Sequence, residues 1–142
     1  MDGVLCGPQR WPVDPTTLRY LPADGMWMYN CVGGEFEVAG DANGPDPIRF
    51  DLAKRVAAHV DLFVSNANDY LLAFVVPGRF ESRGPWMLQS VAFGKGSDDS
   101  VDDFELFLVL DGDTYGLWSV RFCLADTPLG RYFPCQFSRR QW

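Results

Sequence analysis

A repeating pattern of apolar residues between positions 51 and 76 is the longest regular feature of the sequence. Apolar side chains recur there in steps of three or four residues, at Leu52, Val56, Val60, Phe63, Ala67, Leu71 and Phe74. This spacing places them along one side of a helix. Asp51 suits the N-cap position, and Pro77-Gly78 would end the helix. The pattern predicts one helix over residues 51–76, about 39 Å long, in which Ser65-Asn66 favour a kink or a break.

Shorter apolar runs before and after this helix predict strands. They are Met26–Val32, Glu35–Val38, Trp86–Phe93, Phe104–Leu110 and Tyr115–Leu124. Gly33-Gly34 and Asp111-Gly112-Asp113 each separate two of these runs, as the turns of antiparallel hairpins do. A last run, Tyr132–Phe137, contains Pro134, which is typical of an edge strand or an irregular tail. The sequence therefore predicts an α+β fold: an antiparallel sheet of about five strands with one long helix packed on it, in the order β-β-α-β-β-β.

Two of these strands are almost continuously apolar, namely Phe104–Leu110 and Tyr115–Leu124. Strands of this composition are usually covered on both faces. We therefore expect both to lie in the centre of the sheet, with the long helix on one face.

Length and composition predict a single domain. The chain has 142 residues, of which 47% are hydrophobic and 15% aromatic, enough for one packed core. Within a domain spanning residues 1–142, residues 26–137 are expected to form the α+β core. Residues 1–25 contain four prolines and are expected to form an extended lead-in over it. No apolar run is long enough to cross a membrane, and the N-terminus lacks the features of a signal peptide. A cytoplasmic protein with no membrane partner is therefore expected.

Acidic residues are concentrated in one stretch of the sequence. The chain has 19 acidic and 12 basic residues, a net charge of −7. Seven of the acids follow Lys95 before the next basic residue, Arg121, and the rest of the chain is balanced. The seven are Asp98, Asp99, Asp102, Asp103, Glu105, Asp111 and Asp113.

This distribution of charge bears on the kind of partner. Nucleic-acid binding needs a basic surface and is therefore not expected. A basic protein partner is expected instead, because complementary charges accelerate association. The seven acids are the predicted partner-binding residues, and the four aspartates among residues 98–103 would attract Arg and Lys of the partner. The alternative is that the acidic stretch only keeps the domain soluble.

No metal or cofactor site is predicted. Four cysteines, Cys6, Cys31, Cys123 and Cys135, are expected to stay reduced, because the expected compartment is the cytoplasm. No two of them are spaced as Cys-x-x-Cys, and the chain has one histidine, which disfavours zinc. The segment Asp111–Gly116 is similar to a calcium loop, but the required later ligands are absent and the segment is needed as a turn. No glycine-rich phosphate loop is present.

Candidates for catalysis are few. No local catalytic motif is present, so we expect a protein without enzymatic activity. The alternative is a small enzyme or ligand-binding domain whose site combines dispersed residues: His59, Cys31 and the tryptophans. Glu35 and Glu37 share one face of a predicted strand and could form a carboxylate pair in a cleft. The favoured interpretation is that they prevent edge-to-edge pairing of an exposed hairpin.

The segment FELFLVLDGDTYGLWSVRF, Phe104–Phe122, belongs to an acidic domain with one long amphipathic helix and a sheet. In this layout, over residues 26–124, the chain resembles bacterial immunity proteins, which partner polymorphic or contact-dependent growth-inhibition toxins. The resemblance implies stoichiometric binding and neutralisation of a cognate toxin domain, often a basic nuclease, inside the producing cell. It transfers no individual site residue to this chain.

Overall fold

Eight strands in one mixed sheet and two helices make up the described part of the chain. The computed structural model describes residues 18–31, 34–75, 85–94, 103–124 and 132–141. The strands are β1 (Arg19–Leu21), β2 (Met26–Cys31), β3 (Gly34–Asp41), β4 (Gly44–Pro45), β5 (Trp86–Phe93), β6 (Phe104–Leu110), β7 (Gly116–Leu124) and β8 (Tyr132–Gln141). The helices are α1 (Pro47–Ala57) and α2 (Val60–Phe74). Neither helix is long and apolar enough to span a membrane.

The strand order of the sheet is β1-β2-β3-β5-β6-β7-β8, with β4 paired to β3. All strand pairs are antiparallel except β3 and β5, which are parallel. Both helices lie between these two strands in the chain, and such a crossover connection allows β5 to start at the same end of the sheet as β3. The prediction of a five-stranded antiparallel sheet with one long helix is therefore wrong. The bounds predicted for β5 and β6 are confirmed. Of the two alternatives for Tyr132–Phe137, the edge strand is the correct one, and this strand extends to Gln141.

The predicted single helix over residues 51–76 is also wrong. The helix begins earlier, since the Asp46 carboxylate accepts a bond from the Arg49 N–H (3.4 Å) as N-cap and Pro47 follows it at the first helical position. It is then interrupted at Ala58 and His59, before α2 starts. The apolar stripe continues across this interruption, so the spacing of apolar residues does not reveal it.

The core lies between the two helices and one face of the sheet. Phe104 and Phe122 stack on neighbouring strands with ring centroids 5.1 Å apart, and Phe63 of α2 meets both rings edge-on. Phe36 and Val38 of β3 are fully buried beside this cluster. Truncating one such buried ring costs about 3–5 kcal/mol, so this aromatic group fixes α2 on the sheet.

A disulfide joins the last two strands. Cys123 of β7 and Cys135 of β8 are bonded, with a Cα–Cα distance of 6.1 Å. Cys135 lies where the register shifts between Arg121 and Phe122, so it is the extra residue of a bulge. The expectation of reduced thiols is therefore wrong for this pair. It was based on the expected compartment, and the sequence does not show that the strand register brings these two positions together. The side chains of Cys6 and Cys31 lie outside the described residues, as does most of the expected lead-in over residues 1–25.

Candidate functional site

The sheet has one face that neither described helix covers. Side chains alternate between the two faces of a strand, so Phe36 and Val38 point toward the helices while Glu35 and Glu37 point the other way. The helices pack with the first set in one apolar core. We call the second side the helix-free face.

Most of the side chains in two neighbouring rows across the helix-free face are polar. The strand register aligns Met28, Glu37, Ala92, Glu105, Arg121 and Gln136 in one row. It aligns Glu35, Ser90, Phe107, Ser119 and Ser138 in the next. The rows place acidic, basic, amide and hydroxyl groups from five strands on one surface.

Glu35 and Glu37 lie in the interior of the sheet. Their strand β3 is paired with β2 on one side and β5 on the other, so it has no exposed edge. The interpretation that these glutamates protect an edge is therefore wrong. Glu37 is 7% exposed, and both glutamates have interaction partners. β3 becomes an interior strand because it pairs with β5, which comes after both helices in the chain. The sequence of the hairpin alone does not reveal this pairing.

A cavity of about 210 Å³ opens at the β6–β7–β8 end of the rows. It is lined by Glu105, Ser119, Arg121, Gln136, Phe137 and Ser138. The hydroxyls of Ser119 and Ser138 are 2.7 Å apart and share a hydrogen bond. Arg121 lies directly between Glu105 and Gln136 in the register. Apart from Phe137, every lining residue offers a polar side chain, so the cavity suits a polar or charged group.

Glu105 is the acidic residue among those that line this cavity. Its side chain is half-buried. No hydrogen bond or ion pair joins its carboxylate to any residue in the described part of the chain, although Arg121 is its cross-strand neighbour. Arg121, in contrast, has an interaction of its own. A half-buried carboxylate that makes no hydrogen bond or ion pair within the described chain can gain a charge-assisted bond from a cationic ligand.

The other predicted partner-binding acids do not form one surface with Glu105. Asp98, Asp99 and Asp102 lie outside the described residues. Asp103 precedes β6 by one residue and is half-buried, on the same side of the strand as Glu105. Asp111 is exposed in the turn at the opposite end of β6, roughly 20 Å from Glu105 at about 3.3 Å per residue.

Asp113 is occupied by contacts within the protein. Its carboxylate is buried and accepts bonds from Arg139 Nε (2.8 Å), Arg139 Nη2 (2.6 Å) and Trp118 Nε1 (2.8 Å). The hydrogen bonds from Arg139 hold the pKa of Asp113 below its ordinary value, although burial acts in the opposite direction. The same bonds raise the pKa of Arg139. These contacts fix the β6–β7 turn to β8.

The residues of the alternative dispersed site are not brought together. His59 is exposed between the two helices. Trp27 stacks on Tyr20 near one edge of the sheet, with ring centroids 4.8 Å apart. Trp86 and Trp118 meet edge-on in the core on the opposite side of β3. The side chain of Cys31 lies outside the described part of the structure. No group of three or more potential metal ligands occurs among the described side chains.

A larger cavity, of about 600 Å³, lies beside the β3–β4 turn and the start of α1. Its charged groups already interact within the chain. Asp41 Oδ1 accepts a bond from the Asn43 N–H (2.9 Å), and Asp46 is 3.5 Å from the Arg49 guanidinium. This cavity is therefore a weaker candidate than the one beside Glu105.

Four polar lining residues of the smaller cavity were not predicted as functional: Ser119, Arg121, Gln136 and Ser138. The sequence contains one weak indication of these residues, the spacing of polar positions along the two strands. Ser119 and Arg121 are the polar positions of an otherwise apolar strand, two residues apart, and Gln136 and Ser138 repeat this spacing. Comparison with known proteins finds no matching family model, no similar curated protein and no similar solved structure.

Proposed function

We propose that this protein is a non-catalytic binding protein that neutralises a basic toxin domain by forming a 1:1 complex, in the manner of bacterial immunity proteins. The observation that carries the proposal is the position of Glu105, a carboxylate of the acidic stretch that faces a polar cavity without a partner of its own. A cationic side chain from a basic protein would satisfy it.

The charge of the whole chain supports the same partner. A net charge of −7 at neutral pH attracts a basic domain over a long range and accelerates its association. Surface acids such as Asp111 would contribute to this attraction, whereas Glu105 would make a short-range contact. Removing surface charge is therefore expected to slow association, and removing the Glu105 charge to accelerate dissociation.

The proposal is tested with a defined partner. Tagged protein captures candidates from a lysate of the producing cells, and each basic candidate is purified, titrated by calorimetry and assayed for activity with and without this protein. The expected result is 1:1 binding that abolishes the activity of one candidate. A captured protein that stays fully active in the complex, or the lack of any saturable binding, would contradict the proposal.

The proposed location is the cytoplasm of the producing cell. The Cys123–Cys135 disulfide makes this part of the proposal testable, since disulfides persist in oxidising compartments and are rare in the cytosol. Trapping thiols in intact cells with an alkylating reagent, followed by mass spectrometry, determines whether the pair is oxidised where the protein acts.

A further inference from the structure

We propose that the cavity between β6, β7 and β8 is a receptor for the guanidinium group of an arginine side chain of the protein partner, with Glu105 as its counter-ion. The partner's identity as a basic protein rests on the function proposed above. The assignment of a guanidinium site rests on the size, the acceptors and the charge of the cavity.

The volume of the cavity favours a single side chain. Pockets for small-molecule ligands and cofactors typically enclose about 300–1,000 Å³, whereas this one encloses about 210 Å³. This is too small for a nucleotide but sufficient for the end of one long side chain.

The hydrogen-bonding groups of the cavity favour a donor-rich cation. The Glu105 carboxylate only accepts hydrogen bonds. One of the hydroxyls of Ser119 and Ser138 donates to the other, which leaves lone pairs on both oxygens, and the Gln136 amide contributes a further acceptor. A guanidinium carries five N–H donors in a plane and binds a carboxylate through two parallel bonds. An ammonium has three donors at a single point, so arginine matches this set of acceptors better than lysine.

The distribution of charge in the cavity allows this occupant. Arg121 also lines the cavity but has its own interaction, whereas Glu105 has none within the described chain. A cation next to Glu105 therefore gains a charge-assisted bond in a partly desolvated site, where such bonds are stronger than in water.

The test uses N-acetyl-L-arginine amide as the probe, followed by NMR of the ¹⁵N-labelled protein. Saturable shifts are expected at the amides of residues 105, 119, 121, 136 and 138. N-acetyl-L-citrulline amide has the same shape without the charge and is expected to give no saturable shifts. Equal shifts with both compounds, or shifts spread over the whole surface, would overturn the assignment.

Two variants locate the site, and a third is the control. Glu105→Gln keeps the size of the side chain and is expected to weaken binding of the arginine probe at least about tenfold. Gln136→Lys, at an exposed position of the edge strand, adds a positive charge to the lining of the cavity and is expected to block the probe. Asp69→Asn removes an exposed charge from α2, on the opposite face of the sheet, and should leave probe binding unchanged. Unaltered binding by both cavity variants would exclude the cavity.

The partner complex separates this inference from the proposed function. If a toxin domain binds Glu105→Gln as tightly as the natural protein, the guanidinium site is wrong and the proposed function stands. If the arginine probe binds in the cavity but no basic protein is neutralised, the site stands and the proposed function is wrong.

Discussion

Asp113 and Arg139 form a bidentate ion pair that joins the β6–β7 turn to the edge strand β8. Arg139 donates from Nε and Nη2 to the two carboxylate oxygens, at 2.8 and 2.6 Å. Trp118 donates a third bond from Nε1 to the same carboxylate. The pair joins residues 26 positions apart in the chain, so the last strand is held at the turn by charge and near its other end by a disulfide.

Replacing Asp113 should destabilise the fold. Asp113→Ala removes three accepted hydrogen bonds and leaves the Arg139 guanidinium and the Trp118 N–H without this acceptor. The free energy of unfolding is expected to fall by about 3 kcal/mol. Urea titration measures this difference, and Asp111→Ala, on the exposed side of the same turn, is the control. A loss below about 0.5 kcal/mol for Asp113→Ala would contradict this role of the pair.

The stabilisation by Asp113 should depend on pH. Its pKa in the folded state is below the ordinary value of 3.8, because the bonds from Arg139 favour the charged carboxylate. Its contribution is therefore fully present well above pH 3.8 and is lost as the pH falls below this value toward the folded-state pKa. Urea titrations of the natural protein and Asp113→Ala from pH 7 to pH 2.5 should show a constant difference above about pH 5. The difference should shrink in acid, and one that grew there would have the wrong sign.

Gly116 is expected to tolerate no side chain. A Cβ atom at this position would collide with the Asp113 carboxylate and with Arg139 Nε. Gly116→Ala should therefore destabilise the protein by disrupting the ion pair. In an Asp113→Ala background the obstructing carboxylate is gone, so Gly116→Ala should cost clearly less there. Equal costs in both backgrounds of a double-mutant cycle would exclude this explanation.

Asn68 should be essential for docking α2 at the start of β5. Its side-chain amide donates to the Trp86 carbonyl (3.1 Å), and its oxygen accepts from the Trp86 N–H (2.7 Å). Asn68→Ala leaves both backbone groups of a buried residue unsatisfied, so a loss of about 2 kcal/mol is expected. Asn66→Ala, two residues earlier in the same helix, is the matched control. Thermal unfolding that ranks the two variants equally would refute the docking role.

The disulfide determines how many cysteine thiols can react with a thiol reagent. Protein unfolded without a reductant should react with at least two fewer equivalents of a thiol reagent than protein unfolded after reduction, because Cys123 and Cys135 are bonded. Peptide mass spectrometry under non-reducing conditions should recover the two cysteines as one linked pair. Four reactive thiols without reduction would contradict the pairing.

The sequence predicted short-range features well and long-range pairing poorly. The bounds of β5 and β6 and the Asp111-Gly112 turn follow from neighbouring residues, and they are confirmed. The place of β3 in the sheet is set by the parallel pair with β5, which no local pattern encodes. The break at His59 was missed because the apolar stripe continues from α1 into α2.

The candidate site was predicted only in part, for the same reason. Glu105 was selected for its charge, whereas its neighbours in the cavity come from β7 and β8 and are defined by register. Asp113 was grouped with Glu105 because both are acidic, but it faces Arg139. Sequence identifies the charge of a residue, and the opposing strand determines whether that charge is already balanced.

The single parallel pair divides the sheet into two antiparallel halves, β1–β4 and β5–β8. The strands of each half follow one another directly in the chain, whereas Phe36 and Val91, neighbours across the parallel pair, are separated in the chain by both helices. Closing that long segment carries an entropic cost that no hairpin in the sheet bears. We therefore expect each half to form first. The pairing of β3 with β5 would then be the last step in the assembly of the sheet. The boundary between the two halves is also the natural place to divide the gene for fragment complementation. The two fragments would form the complete sheet only when they associate.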